Sequence, residues 1–244
     1  DLAWLLALVA VVVVTGSWLP LFDPDEGRNA NVAREMLARR DWLVPHLHGL
    51  PYLDKPALLF AAIAACFALV GGSEFAARVP SVVAGVAVLI LVYRLARIWW
   101  SATTARSATL VVASAPLFLG FARCVIFDLP LTACVLAAWL ASEQARRGVR
   151  FAIVGSAIAT AAAVLLKGPI GLLLSILGSI ALAVGQGDRK PHRLFPARYW
   201  GVLAAILVPW LWAVERRVPG FLRYALVTES FERMTQPTLK RTGP

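Results

Sequence analysis

The sequence predicts an all-α integral membrane protein, a polytopic helical bundle with about seven transmembrane helices and juxtamembrane helices in its first external loop. Three observations predict it. The chain is 59% hydrophobic and 16% charged, with a mean hydropathy of +0.73, well outside the balance of a water-soluble domain. Its apolar residues fall in continuous runs approaching the roughly 20 that a helix needs to cross a bilayer, rather than in the short alternating segments of a β-barrel. Lys and Arg gather at the ends of these runs, where they orient helices and meet lipid phosphates.

The apolar runs occupy residues 2–21, 79–98, 108–126, 130–140 (running on to 145), 151–166, 169–184 and 199–214. Residues 2–21 show no basic flank and no small-residue cleavage site, so they read as a retained transmembrane helix and not as a signal peptide. The polar end "TLKRTGP" carries no anchor, and residues 1–244 are expected to form a transmembrane domain at the N-terminal part of a longer chain. Three connections are compact and basic: "YRLARIWWSATTAR" (93–106), "ARRGVR" (145–150) and "GDRKPHRLFPAR" (187–198). The alternate connections, "FDLP" (127–130) and "KGP" (167–169), carry almost no positive charge. An excess of Lys and Arg marks the cytoplasmic side. Residues 22–78 are then expected to form the first external loop, with Asp128, Lys167 and the chain after residue 214 on the same side.

One stretch breaks this alternation. "ALLFAAIAACFALVGG" (57–72) is apolar, but its sixteen residues reach only about 24 Å as a helix, short of the roughly 30 Å hydrocarbon core. It reads as a helix lying in, or dipping into, the outer leaflet, with a short tilted span as the alternative. "RNANVAREMLARRDWL" (28–43) reads as an amphipathic surface helix with Val32, Met36 and Leu37 on one face.

Composition also excludes. The net charge of +10 sits at segment ends and lacks the aromatic-basic interleaving of a nucleic-acid surface, so it points to membrane lipid. Cys66, Cys124 and Cys134 are odd in number, lie in apolar stretches and form no CxxC pair, which argues against a disulfide framework or a zinc-thiolate site. No P-loop, GxSxG or dinucleotide fingerprint is present.

The unusual polar residues collect on the external side: Asp23, Asp25, Glu26, Arg28, His46, His48, Asp54, Lys55, Arg78, Asp128 and Lys167. Ionisable groups beside lipid are costly and tend to be functional. In "FDPDEGR" an Asp is suited to take a proton from an acceptor hydroxyl or amine, or to help hold a metal. Its blander reading is a solvated loop that caps the next helix. Lys55 and Lys167 are placed to meet a lipid phosphate or simply to snorkel. Asp128 lies in a tight turn before Pro130. Arg123, one turn earlier, calls for a carboxylate or phosphate partner. His46 and His48 lack the i, i+4 spacing of a helical zinc pair.

"DPDEGRNANVAREMLARRDWLVPHLHGLPYLDKPALLF" (23–60) resembles the first external loop of the aminoarabinose transferase and protein O-mannosyltransferase-like group of membrane-embedded C-type glycosyltransferases. The matching residues are Asp25-Glu26, Arg28, Arg34-Glu35-Met36, Asp41-Trp42, Pro45-His46, Gly49, Tyr52-Leu53 and Asp54-Lys55-Pro56. "SEFAARVPS" (73–81), Asp128 and "LLKGPIG" (165–171) resemble later landmarks. The resemblance implies transfer of a sugar from a polyprenyl (undecaprenyl) phosphate to a lipid, such as lipid A, another glycolipid or a protein hydroxyl, at the periplasmic face of a bacterial inner membrane. It implies catalytic roles for Asp25, Glu26 and Asp128, and donor-phosphate contacts from Lys55, Arg78, Arg123 and Lys167. Arg28, Asp54 and His46 would position the acceptor.

The chain departs from that pattern at Asn29, where relatives often carry Tyr, and at Asp54, where many carry Glu. Some relatives pair that acid with a later His to hold zinc. Here "VTESFERMTQP" (227–237) offers Glu229 or Glu232 instead, so a divalent metal on Asp54 and Glu229 is the weaker expectation. The reading from a different class is a transporter or a carrier-binding scaffold without catalysis. Transporters keep key charges near the bilayer midplane on broken helices, whereas these acids cluster in external loops.

Overall fold

The computed structural model describes residues 20, 21 and 24–225. The expected first span, together with Asp23, Glu229 and Glu232, lies outside the described residues, except for Pro20 and Leu21. The described chain is mostly helical.

Helix α1 (Asp25–Arg39) starts with two acids in its first turn and ends on Arg39, so its charges complement the helix dipole. Arg40 adopts a left-handed conformation and its N–H closes on the Met36 and Leu37 carbonyls, stopping the helix. Glu26, Asn29, Ala30, Ala33 and Met36 recur at helical spacing and form the buried face. A hairpin of two short strands follows, β1 (His46–Leu47) and β2 (Leu50–Pro51), paired antiparallel. Its turn is held by Glu35, whose carboxylate accepts the His48 and Gly49 backbone N–H groups at 2.6 and 3.1 Å.

Helix α2 (Leu58–Val70) is the apolar stretch that broke the alternation. Thirteen residues reach about 20 Å, against a hydrocarbon core of roughly 30 Å. It buries Leu59, Phe60, Ile63 and Phe67 against α1 and the next helix. Phe60 meets Tyr52 and Phe127 edge-on, at centroid distances of 5.9 and 5.3 Å.

Helix α3 (Glu74–Trp99) is capped by Ser73, which accepts the Ala76 N–H, and at 26 residues it is long enough to cross a bilayer. The single span expected over 108–126 is instead two helices, α4 (Ala102–Ser114) and α5 (Pro116–Phe121). Pro116 forces Ala115 into extended backbone and contributes no N–H, so the helix stops there. Helices α6 (Asp128–Arg146), α7 (Ala152–Lys167) and α8 (Pro169–Gly185) follow the expected runs within two residues at each end. Helix α9 (Ala197–Arg217) is the second helix long and apolar enough to span, and α7 and α8 are apolar but shorter.

The α7–α8 reversal needs glycine twice. Gly168 sits at φ 72°, ψ −148°, a region closed to other residues. A Cβ on Gly171 would lie 2.4 Å from the Ala163 carbonyl, so the two helices touch backbone to backbone. Deeper in the bundle, Ser142 joins Ser156 and Ser179, and the Tyr199 hydroxyl donates to Thr160 at 2.9 Å, linking α6 to α9 through buried hydroxyls. This packing gathers Asp128 at the start of α6, Lys167 at the end of α7 and the first loop at one end of the bundle. The opposite end carries Arg146, Arg147 and Arg198, and there the Arg147 guanidinium donates to the Ile98 carbonyl, joining α6 to α3.

Candidate active site

A cavity of about 270 Å³ opens between the start of α1, the loop before α2, the start of α6 and the end of α7. Six of the residues expected from sequence line it: Asp25, Arg28, Asp54, Lys55, Asp128 and Lys167. Asp25 and Arg28 form an ion pair one turn apart on α1. Lys167 donates to Asp128 at 2.6 Å, joining the end of α7 to the start of α6 across 39 residues of sequence. Asp25 and Asp128 sit at helix N-termini and Lys167 at a C-terminus, the ends that favour their charges. Lys55 donates to the carbonyl of its neighbour Asp54. Three carboxylates thus face three cations in one small space.

A second, apolar groove of about 640 Å³ adjoins this cavity. Its walls are the Ile170, Leu173 and Leu177 face of α8 and, across from it, Phe221 and Ala225 after the end of α9. Asp54, Lys55 and Lys167 line both spaces and form the boundary between them.

The remaining expected residues fall elsewhere. Glu26 and Arg78 are both only 2% exposed and face each other. The Arg78 guanidinium donates to both Glu26 carboxylate oxygens, at 3.2 and 3.0 Å, and to the Pro20 carbonyl at 2.9 Å. Glu26 also accepts the Val125 N–H at 2.7 Å. This pair ties α1 and α3 to the turn before α6, behind the cavity and not within its wall. Arg123 is half-buried with an Nε that meets no hydrogen-bond partner, and it does not line the cavity. His46 lies in the hairpin, its Nδ1 2.9 Å from the Val44 carbonyl, also away from the cavity. Among the described residues, no His, Cys, Asp and Glu side chains gather as a metal-ligating group, and the described metal candidate, Asp54, accepts the Tyr224 hydroxyl at 2.8 Å.

The sequence reading missed three residues. Asn29 lines the cavity and donates to the Val125 carbonyl at 2.8 Å, while Tyr52 lines the cavity too. Both lie in the first-loop motif, which was the available signal. Tyr224 is remote in sequence and belongs to no motif. Asp41, part of the motif, acts below the hairpin. Burial pushes the pKa of its carboxyl up, but the Leu43 and Val44 N–H groups, Arg217 and His46 together hold it below the usual carboxylate value.

A model of the family described as dolichyl-phosphate-mannose-protein mannosyltransferase matches residues 54–212. Across its whole length the chain is 30% identical to an undecaprenyl phosphate-alpha-4-amino-4-deoxy-L-arabinose arabinosyl transferase from Edwardsiella ictaluri, of which it covers 45%. The Serratia proteamaculans protein of the same name is 29% identical, with 44% of it covered. Among solved structures, the chain is similar to ArnT from Cupriavidus metallidurans bound to undecaprenyl phosphate, with a TM-score of 0.84 and 28% identity over 95% of this chain and 44% of that one. The apo state of the same protein gives a TM-score of 0.82 at 27% identity. The chain spans less than half the length of these relatives.

Proposed function

Because the chain belongs to the dolichyl-phosphate-mannose-protein mannosyltransferase family, we propose that it is a multi-pass membrane glycosyltransferase. Its donor is a sugar on polyprenyl phosphate, and undecaprenyl phosphate is the carrier in the names of its relatives. The acceptor is a lipid of the lipid A kind, another glycolipid or a protein hydroxyl. The observation that carries this reading is the junction of a charged cavity with an apolar groove through Asp54, Lys55 and Lys167. A polyprenyl-phosphate sugar has the same division, with a sugar and phosphate at one end and a hydrocarbon tail at the other.

In this reading the tail lies along α8, the phosphate meets Lys55 and Lys167, and the sugar occupies the cavity. Asp25 takes the proton of the acceptor as its oxygen or nitrogen bonds to the anomeric carbon. The bond from that carbon to the phosphate oxygen breaks, and its electron pair leaves with the polyprenyl phosphate. Lys55 and Lys167 oppose the charge that develops there. An arriving phosphate competes with Asp128 for Lys167, which frees the Asp128 carboxylate to meet the sugar. Arg28 holds Asp25 in place. Glu26 and Arg78 act structurally, as the buried pair behind the cavity.

The orientation follows from the basic connections. The cavity end of the bundle faces the periplasm, α3 and α8 run inward, and α6 and α7 bracket the 145–150 connection in the cytoplasm. In full, residues 1–244 supply about seven crossings, the α4–α5 pair counting as one broken crossing. Residues 22–78 form the first periplasmic loop, with α2 resting at the outer leaflet. The acids of α3, α6 and α9 are Glu74, Asp128, Glu143 and Glu215, all in first or last turns, so among the described residues none of these helices carries a carboxylate in its middle, where a transporter would keep one.

Sugar transfer by the intact protein in lipid tests the proposal. The donors would be a panel of undecaprenyl-phosphate sugars, offered with glycolipid and peptide acceptors. Turnover of one donor, lost in Asp25→Asn, is the expected result. No turnover of any donor, with carrier binding retained, would transfer the protein to the carrier-binding class.

A further inference from the structure

We propose that Tyr224 is a positioning residue that clasps Asp54 and so holds the segment after α9 across the apolar groove, setting the affinity for the carrier's phosphate-proximal isoprene units. The proposal rests on the carrier site described above and adds a residue and a device that the first-loop motif does not contain.

The clasp is a hydrogen bond from the Tyr224 hydroxyl to Asp54 Oδ1, 2.8 Å long, between residues 170 apart in sequence. Hydrogen bonds to a carboxylate are the stronger kind. Its position is what gives it consequence. Asp54 belongs to the boundary shared by the charged cavity and the apolar groove. Tyr224 lies between Phe221 and Ala225, which form the groove wall facing α8. The bond therefore closes the groove next to where the carrier phosphate enters.

The near end of this segment is fixed by other means. Glu215 accepts the Gly220 and Leu222 N–H groups at 2.8 Å each, folding the chain back at the end of α9. Phe221 packs edge-on against Trp210 at 5.7 Å, and it shares a buried cluster with Val44 and Val214. Arg217 bonds Asp41 at 2.8 Å. These contacts lie on the hairpin side, away from the charged cavity. The root of the segment is thus anchored independently, and Tyr224 carries its far part to the catalytic loop. Cutting the clasp leaves the root, Phe221 included, in place and releases the wall at Ala225, so the tail loses contacts there while the phosphate keeps Lys55 and Lys167.

The test is binding of undecaprenyl phosphate to the intact protein in lipid nanodiscs. Wild type would be compared with Tyr224→Phe, Asp54→Ala and the double variant, with Lys55→Ala reporting on the carrier site itself. A second probe, dimethylallyl phosphate, carries a single isoprene unit and has too little tail to use the groove. Each clasp variant is expected to lose about tenfold in affinity for the long carrier. The double variant should lose no more than either single one; binding of the short probe should not change in Tyr224→Phe, and in Asp54→Ala, which also removes a charge beside the phosphate, the long carrier should lose more than the short probe. Should Tyr224→Phe fold poorly, Asp54→Ala and its comparison between the two probes carry the test. Equal losses for both probes, additive losses in the double variant, or unchanged binding in Tyr224→Phe beside weakened binding in Lys55→Ala would each overturn the clasp and leave the carrier site standing. Wild type and Lys55→Ala binding the carrier alike would overturn the carrier site and the clasp with it.

Discussion

Asp25 and Glu26 are adjacent in sequence and sit in opposite surroundings. Asp25 is half exposed at the cavity, while Glu26 is buried against Arg78. The sequence made both look catalytic because adjacency carries no information about direction on a helix that begins there. Asp25→Asn is therefore expected to slow sugar transfer by about 10²- to 10⁴-fold, the usual worth of a general base, with carrier affinity nearly unchanged. Arg78→Ala strands the Glu26 carboxylate in the interior and should cost roughly 3–5 kcal/mol of stability, read as a fall in the thermal unfolding midpoint. If Arg78 contacted the donor phosphate instead, affinity would fall and the midpoint would not. Asp41 gives a pH test. Its folded-state pKa is depressed, so its contribution is present above the unfolded value of about 3.9 and fades as pH falls through the lower folded value. The protection factors of the amides in residues 41–44, that is, exchange relative to the intrinsic rate at each pH, should fall on acidification in wild type, and Asp41→Asn should remove that acid-dependent component. The motif residues were legible because they lie within one loop. The partners Arg78–Glu26 and Asn29–Val125 were not, because they join residues 52 and 96 positions apart.

The helices were legible wherever hydrophobicity and helix length agreed. The runs at 130–145, 151–166 and 169–184 became α6, α7 and α8 with ends shifted by two residues or fewer. The run at 108–126 failed because hydropathy does not register that Pro116 breaks backbone continuity. The stretch at 57–72, read as a helix at the outer leaflet with a short tilted span as the alternative, forms a thirteen-residue helix that packs on α1 through Phe60 and Ile63. The α7–α8 hairpin matters most to function, since it supplies both Lys167 and the groove wall. Gly171→Ala would press a methyl into the Ala163 backbone and is expected to cost about 1–3 kcal/mol. The same variant should weaken undecaprenyl phosphate binding, because α8 must move to make room. A Gly171→Ala protein with wild-type unfolding and wild-type carrier affinity would show that the close approach is unimportant.

At the scale of the whole molecule, the two ends of the bundle differ in charge, and all the candidate chemistry lies at the end away from the basic connections. That asymmetry was readable from Lys and Arg alone, and the helical membrane fold with it. The continuity of cavity and groove was not readable, since α8 and residues 221–225 meet only in three dimensions. Sidedness has its own check. In a cysteine-free background, Gly72→Cys should be labelled by an impermeant reagent from the periplasm and Thr103→Cys only after the membrane is opened, both positions being exposed. Labelling of Thr103→Cys from the periplasm and of Gly72→Cys only after opening would reverse the orientation of α3, and labelling of both from one side would show that α3 does not cross. The central claim, that the carrier crosses from groove to cavity at Lys55 and Lys167, is tested most directly by photocrosslinking. An undecaprenyl phosphate with a photoreactive group near its phosphate would be bound to the intact protein, and the labelled peptides mapped. Labelling of Leu173, Ile176 or Leu177 on α8, lost in Lys55→Ala, is the predicted result. Labelling confined to the outer faces of α3 or α9, or independent of Lys55, would contradict it.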